Sequence, residues 1–211
     1  KVLSDTSYLD AFRLSFEVAT VSTLIALYAG IPAAIAILRG RFPGRHGLQS
    51  LLTLPMMVPQ IVLGVALLQF LTAMGIARTW WGLTLSHSLL ALPYVVRTVG
   101  ATLVGFNQTL EEAAADLGAR PLNTFILVTL PLIKGGVVAA GLFGFAMSWI
   151  NVEVSMFLAN SRLLPLPVKL MNYVQYSVDP TIAAVSAATV VLAFLILFLL
   201  DRLVGLERLG S

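Results

Sequence analysis

Five stretches of this chain stay apolar long enough to cross a bilayer, and the segments between them are short, charged or rich in helix breakers. A membrane helix needs about 20 mostly apolar residues. The first run is Phe16 to Leu38, "FEVATVSTLIALYAGIPAAIAIL". The second, roughly Leu48 to Thr72, carries Pro55 and Pro59, and the third, roughly Trp81 to Gly105, carries Pro93. The fourth runs from about Leu132 to Leu158 and the fifth from Ile182 to Leu200. Proline is tolerated in such helices where neighbours re-satisfy the backbone. Pro32, Pro55, Pro59 and Pro93 therefore have two readings, kinks in moving helices or static packing kinks. The pattern predicts an all-α membrane protein, with five transmembrane helices in a single transmembrane domain over residues 1–211. No internal repeat or low-complexity linker interrupts it.

Composition agrees. The chain is 58% hydrophobic and 11% charged, whereas soluble domains are about 45–50% apolar and roughly 25% charged. The net charge of +3 comes from thirteen scattered Lys and Arg with no basic run, so no nucleic-acid partner is expected. The absence of cysteine excludes disulfides, thiol catalysis and thiolate metal sites. With only His46 and His87, far apart in sequence, no metal centre is expected. The first residues do not form a signal peptide. The start at Lys1 gives the expectation that a leading segment precedes this chain.

Orientation follows from Lys and Arg placement. Threading five helices alternately puts Arg39, Arg41, Arg45, Arg97, Arg120, Lys134, Arg202 and Arg208 on one side, against Lys1, Arg13, Arg78, Arg162 and Lys169. The short "RGRFPGR" loop decides the matter, and its side is predicted to be cytoplasmic. The C-terminal tail falls on the same side. Trp80 and Trp81 then sit at the outer interface, and the long connection of about 159–180 is external.

Between the third and fourth runs stands "LEEAAADLGARP", residues 110–121. Thr109 and Glu112 have capping-box spacing, which predicts a helix starting at Thr109. Glu111 and Glu112 suit the positive end of the helix dipole. Gly118 and Pro121 stop the helix after about two and a half turns. Leu110, Ala113, Ala114 and Leu117 form one apolar stripe, half of it alanine, so another surface can approach closely. By pattern alone this is either a capped interfacial linker or a docking element.

At this point the sequence resembles a family. "EAAADLG", nine further residues and "VTLP" look like the EAA signature, EAA-x3-G-x9-I-x-L-P, of permease subunits of binding-protein-dependent ABC importers. Glu112, Ala113, Ala114, Gly118, Leu130 and Pro131 match, and Val128 replaces the usual Ile. "RFPGR" and "LPVKLMNYVQYSVDP" are similar to the branch that carries polyamines, iron(III) and aminoalkylphosphonates, and most of all to the spermidine/putrescine permeases. The resemblance implies the type I ABC importer permease fold in a bacterial inner membrane. Family members usually have six helices, so the missing one would be the first. It also implies a coupling helix over about 109–120, seated on an ATPase subunit. Glu111, Glu112, Ala113, Ala114, Asp116, Leu117, Gly118, Arg120 and Pro131 would serve that coupling. Glu112 would meet a basic residue of the ATPase, and Gly118 would allow the turn into the next helix. Implied partners are an ATPase dimer, a second homologous permease subunit and an external substrate-binding protein, all beside membrane lipid. No cofactor is expected in this chain. It lacks a P-loop, so ATP and Mg would be bound by the ATPase, and this chain is not expected to be an enzyme.

Polar residues inside membrane segments are functional candidates by default. Glu153 near the outer end of the fourth run, with Asn151 beside it, could line the mouth of a pathway for an amine-bearing cargo, or could be a solvated helix end. Gln60 could face substrate or bond to a neighbouring helix. His87 could relay protons or serve packing. Tyr173 and Tyr176 could dock the binding protein or belong to an aromatic belt. Two other classes make demands that this sequence does not meet. An intramembrane protease needs a nucleophile with a base, which is not seen. An ion-coupled secondary transporter would show paired charges and inverted repeats, which are not seen either.

Overall fold

The structure is a computed structural model that describes residues 6–176 and, beyond them, Ala187, Val190, Val191 and Leu195. The fifth predicted run lies outside the described residues apart from those four positions, and the C-terminal tail lies wholly outside them. Within the described residues all regular structure is helical, with no strand.

Helix α1 (Thr6–Arg39) extends the first apolar run at both ends and passes through Pro32. Its successor differs from the expected continuous helix over Leu48 to Thr72. The chain forms α2 (Arg45–Thr53), a 3₁₀ turn over Leu54–Met56 and then α3 (Gln60–Ala73). The two arms meet at 106°. Pro59 is the cause: it has no N–H to donate and pushes Val58 away from helical geometry, so the helix stops and restarts at Gln60.

Helix α4 (Trp80–Val104) is the centre of the bundle. The Thr79 hydroxyl caps it by accepting the Gly82 N–H at 3.0 Å. Its inward positions Ala91, Val95, Val96, Val99 and Leu103 pack with Ala26, Ala34 and Ile37 of α1. On its other side lies α8 (Lys134–Trp149). Small residues set the crossings, as expected where lipid offers no hydrophobic drive between helices. A Cβ on Gly30 of α1 would lie 2.6 Å from Val95 Cγ1, and one on Gly136 of α8 would lie 1.9 Å from Thr102 Oγ1.

The fourth run is not one helix from Leu132 to Leu158. After α5 (Thr109–Asp116) come α6 (Pro121–Thr124), a π-helical turn (Phe125–Thr129) and α7 (Leu130–Leu132). This arm bends by 76° into α8 at Ile133. Pro131 explains the π turn. It offers no N–H to the Leu127 carbonyl four residues back, and the Leu130 N–H reaches instead to the Phe125 carbonyl. A second interruption at Ile150–Val152 separates α8 from α9 (Glu153–Leu158). α9 packs on α3, where Gly64 accommodates the Phe157 ring.

The segment predicted to be an external connection contains α10 (Leu166–Tyr176). It lies against α1: the Leu166 N–H donates to Ser15 Oγ at 2.7 Å, and Lys169 Nζ sits 4.0 Å from the Tyr8 ring centre. Among the described residues two helices, α1 and α4, are long and apolar enough to cross a membrane. Each bent pair, Arg45–Met56 with α3 and Pro121–Leu132 with α8, passes the same test if it counts as one span.

Candidate functional site

Two polar constellations stand out in this apolar chain. The first surrounds α5. Its start departs from the capping box. Thr109 lies inside the helix, and both its N–H (3.1 Å) and its hydroxyl (2.8 Å) donate to Asn107 Oδ1. The Glu112 N–H donates to the Gln108 carbonyl at 3.2 Å. Asn107 Oδ1 thus takes the Thr109 N–H that a Glu112 carboxylate would accept in a capping box, while the Glu112 N–H is used within the helix. The end behaves as the glycine implied. Gly118 has φ +83°. Its N–H donates to the Ala115 carbonyl at 2.8 Å and the Ala119 N–H to Ala114 at 3.0 Å, the Schellman pattern that satisfies the last carbonyls of a helix.

The two glutamates of α5 point apart. Glu111 is turned into the protein. One carboxylate oxygen accepts from Arg39, the last residue of α1, and the other from the Thr129 hydroxyl in the π turn. The Arg39 and Glu111 side chains are each 20% exposed, and Thr129 is buried. The Arg39 guanidinium also lies 4.9 Å from the ring centre of Phe106, in the link between α4 and α5. Burial raises the Glu111 pKa, but the hydrogen bonds from Arg39 and Thr129 and the Arg39 charge outweigh it, and the net shift is downward. Glu112, Ala113, Asp116, Gly118 and Arg120 are exposed, and Ala114 is half-buried. Leu117 is 90% exposed and Leu110 46%, so most of the small apolar stripe is uncovered. Pro131 lies in α7, exposed.

The second constellation lies among α1, α3, α4, α8 and α9. His87 of α4 is buried, with Nδ1 2.7 Å from Ser148 Oγ and Nε2 3.0 Å from Ser155 Oγ. Those serines stand on opposite sides of the α8–α9 interruption, so the imidazole bridges the break. A neutral imidazole has one donor and one acceptor, and hydroxyls supply the complement to either. Ser22 of α1 extends the chain by donating to Ser148 at 3.1 Å. Asn151 sits in the break itself. Its Oδ1 accepts the Val154 N–H at 3.0 Å, its Nδ2 donates to Gln60 Oε1 at 2.5 Å, and its freed carbonyl accepts from Ser155 Oγ at 2.7 Å. Three of the four residues singled out for the membrane interior, Gln60, His87 and Asn151, therefore fall in one hydrogen-bonded chain. Glu153 stands beside it with an exposed side chain. Tyr173 packs edge-on to Tyr8, with ring centres 6.4 Å apart. Tyr176 closes α10, and its side chain lies outside the described residues.

Sequence reasoning did not find Arg39 as an ion-pair partner, nor Thr129, Phe106, Ser22, Ser148 and Ser155. Arg39 carried a signal, an arginine ending an apolar run, but that signal spoke of the membrane interface and not of a residue 72 positions away.

Comparison with known proteins matches this architecture. The spermidine/putrescine transport system permease protein PotC of Escherichia coli is 32% identical over 207 residues, covering 98% of this chain and 78% of the relative. Its counterpart in Haemophilus influenzae is 35% identical over 191 residues, with 90% and 72% covered. The putrescine transport system permease protein PotI of Escherichia coli is 28% identical over 213 residues, with 96% and 76% covered. Among solved structures, the inward-facing MetNI methionine ABC transporter shares the fold with a TM-score of 0.78 at 20% identity, covering 93% of this chain and 94% of that one. A bacterial ABC transporter that imports the acidic polysaccharide alginate gives a TM-score of 0.68 at 18% identity, covering 99% and 76%. The fold is thus that of the type I ABC importer permeases. Residues 24–206 match one family throughout, and the chain belongs to it: the binding-protein-dependent transport system inner membrane components.

Proposed function

We propose that this chain is one of two permease subunits of an ATP-driven polyamine importer. The second permease would be a homologous subunit, and an external binding protein would deliver the cargo. Two ATPase subunits would hold the ATP and Mg. The five apolar runs serve as spans, with α5 and the C-terminal tail on the cytoplasmic side. Alternating access then exposes a path between the two permeases, first outward and then inward. Tyr173 and Tyr176 are assigned to the face that meets the binding protein.

One observation carries the reading: α5 has two unlike sides. Glu111 ties one side to the protein, while Glu112, Ala113 and Leu117 stand uncovered on the other. A short helix anchored this way, with an apolar stripe in the open, suits docking to a partner better than it suits a linker. We assign it as the coupling helix on the ATPase, with Glu112 meeting a basic residue there. The polyamine cargo rests on the names of PotC and PotI and on chemistry. Among Gln60, His87, Asn151 and Glu153, the exposed carboxylate of Glu153 is the group that suits a passing ammonium.

The test is co-expression with the native neighbours, isolation in mild detergent, and putrescine uptake in proteoliposomes. An ATPase and a second permease should co-purify, and Glu112→Lys should abolish uptake while leaving the chain inserted. Isolation of the chain alone, or normal uptake by the variant, would sink the assignment.

A further inference from the structure

We propose that Glu111 is a positioning residue that locks α5, the end of α1 and the π-turn arm into one rigid piece, so that a push on α5 is delivered directly into the first span. This rests on the coupling-helix reading above. By covalent connection alone, α5 communicates with α4 through residues 105–108 and with the following arm through the Gly118 turn. Neither link reaches α1.

The Glu111 carboxylate supplies the missing link. Its two oxygens are divided between Arg39, which ends α1, and Thr129, in the π turn. Arg39 is held in turn by the Phe106 ring, in the link from α4. Two elements therefore converge on one side chain of a third, and the link from α4 backs the junction through Arg39. The location is also mechanically apt. α1 packs along α4 through a near-contact at Gly30, so a displacement received at Arg39 moves that helix pair together. The π turn is itself a locally altered helix, a geometry that recurs at functional sites, and its buried Thr129 gives the arm a fixed point of attachment. Glu112, one residue on, is exposed and free to face a partner.

The chain has no cysteine, so a spin-label pair can be placed on Leu38→Cys, near the end of α1, and on Gln108→Cys, at the exposed start of α5 and outside its docking stripe. In the assembled importer the distance between these labels should be the same in the nucleotide-free and ATP-bound states. In Glu111→Gln it should differ between the two states, and uptake per ATP hydrolysed should fall by roughly fivefold or more. The exchange Arg39→Glu with Glu111→Arg should restore both. A label distance that already changes in the otherwise unaltered protein overturns the proposal, and that measurement needs no Glu111 variant to fold. So does an unchanged uptake ratio in Glu111→Gln. Glu112→Lys separates the two levels. If it uncouples uptake while Glu111→Gln does not, the lock fails and the coupling helix stands; if neither uncouples, the coupling helix itself fails.

Discussion

Asn151 donates to Gln60 across 2.5 Å, and the bond joins two of the places where a helix is interrupted. Gln60 is the first residue of α3 after the Pro59 break, and Asn151 lies in the gap between α8 and α9. Each interruption is thereby positioned by the other. In a double-mutant cycle of Gln60→Leu and Asn151→Leu, the interaction energy should be near the membrane average of about 0.6 kcal/mol. Additive effects on detergent-solubilised thermal stability would show that the pair does not couple the breaks.

The imidazole that bridges the same break should matter more. His87→Ala leaves the Ser148 and Ser155 hydroxyls short of partners in a buried site, and should cost about 1–3 kcal/mol. His87→Gln, which keeps a donor and an acceptor, should recover part of the loss. Thermal unfolding of the purified variants reads both values.

Close helix approach makes a separate prediction. Gly136→Ala places a methyl group 1.9 Å from Thr102 Oγ1 and 2.7 Å from its Cβ. The second atom belongs to the rigid base of the side chain, so rotation alone cannot clear it. Overpacking should cost about 1–3 kcal/mol, and the thermal midpoint should fall accordingly. Gly141→Ala, whose added methyl group would lie 3.4 Å from Leu27 Cδ1, serves as the mild control.

Gly118 tests backbone geometry without crowding, since nothing lies within 4 Å of an added Cβ there. Its φ of +83° makes Gly118→Val unfavourable by about 1–2 kcal/mol. Gly118→Asn should be tolerated better because asparagine visits this region. Equal stability of the two variants would mean that the turn relaxes to another conformation.

Glu111 should stay ionised further into acid than an ordinary glutamate. Its folded pKa lies below the ordinary 4.5, so the stability contributed by its partners is complete above that ordinary value and is lost as pH falls through the lowered one. At about pH 5 the protonated-carboxyl infrared band should therefore show no difference between the parent chain and Glu111→Gln. A band present in the parent and missing in the variant would contradict the downward shift.

How much of this could be read from the sequence depends on whether the cause was local. The first and third spans follow directly from apolar run length, and Trp80–Val104 lies within one residue of the expected ends. The break at Pro59 was visible as a proline, but only geometry turns a tolerated kink into a bend of 106°. The break at Ile150–Val152 contains neither proline nor glycine. It exists because Asn151 satisfies the exposed backbone through its own amide and because Ser155 takes up the carbonyl, and no periodicity marks such a site. At α5 the sequence points to the acidic first turn and the glycine stop, yet it makes Thr109 the cap, where Thr109 instead donates to Asn107. It could not separate Glu111 from Glu112. Which of two adjacent carboxylates faces inward is decided by Arg39 and Thr129, which are distant in the chain.

The polar centre of α4 also bears on how the protein is made. Thr84, Ser86, His87 and Ser88 are buried in the finished bundle, and α4 is the less apolar of the two long helices. The groups that satisfy His87, Ser148 and Ser155, are synthesised 61 and 68 residues after it. While the chain emerges from the ribosome, α4 must therefore enter the membrane with its imidazole unmatched, sheltered first by α1. Its insertion is completed by a later segment, so a nascent chain stopped before Ser148 should hold α4 in the bilayer less firmly than the finished protein does.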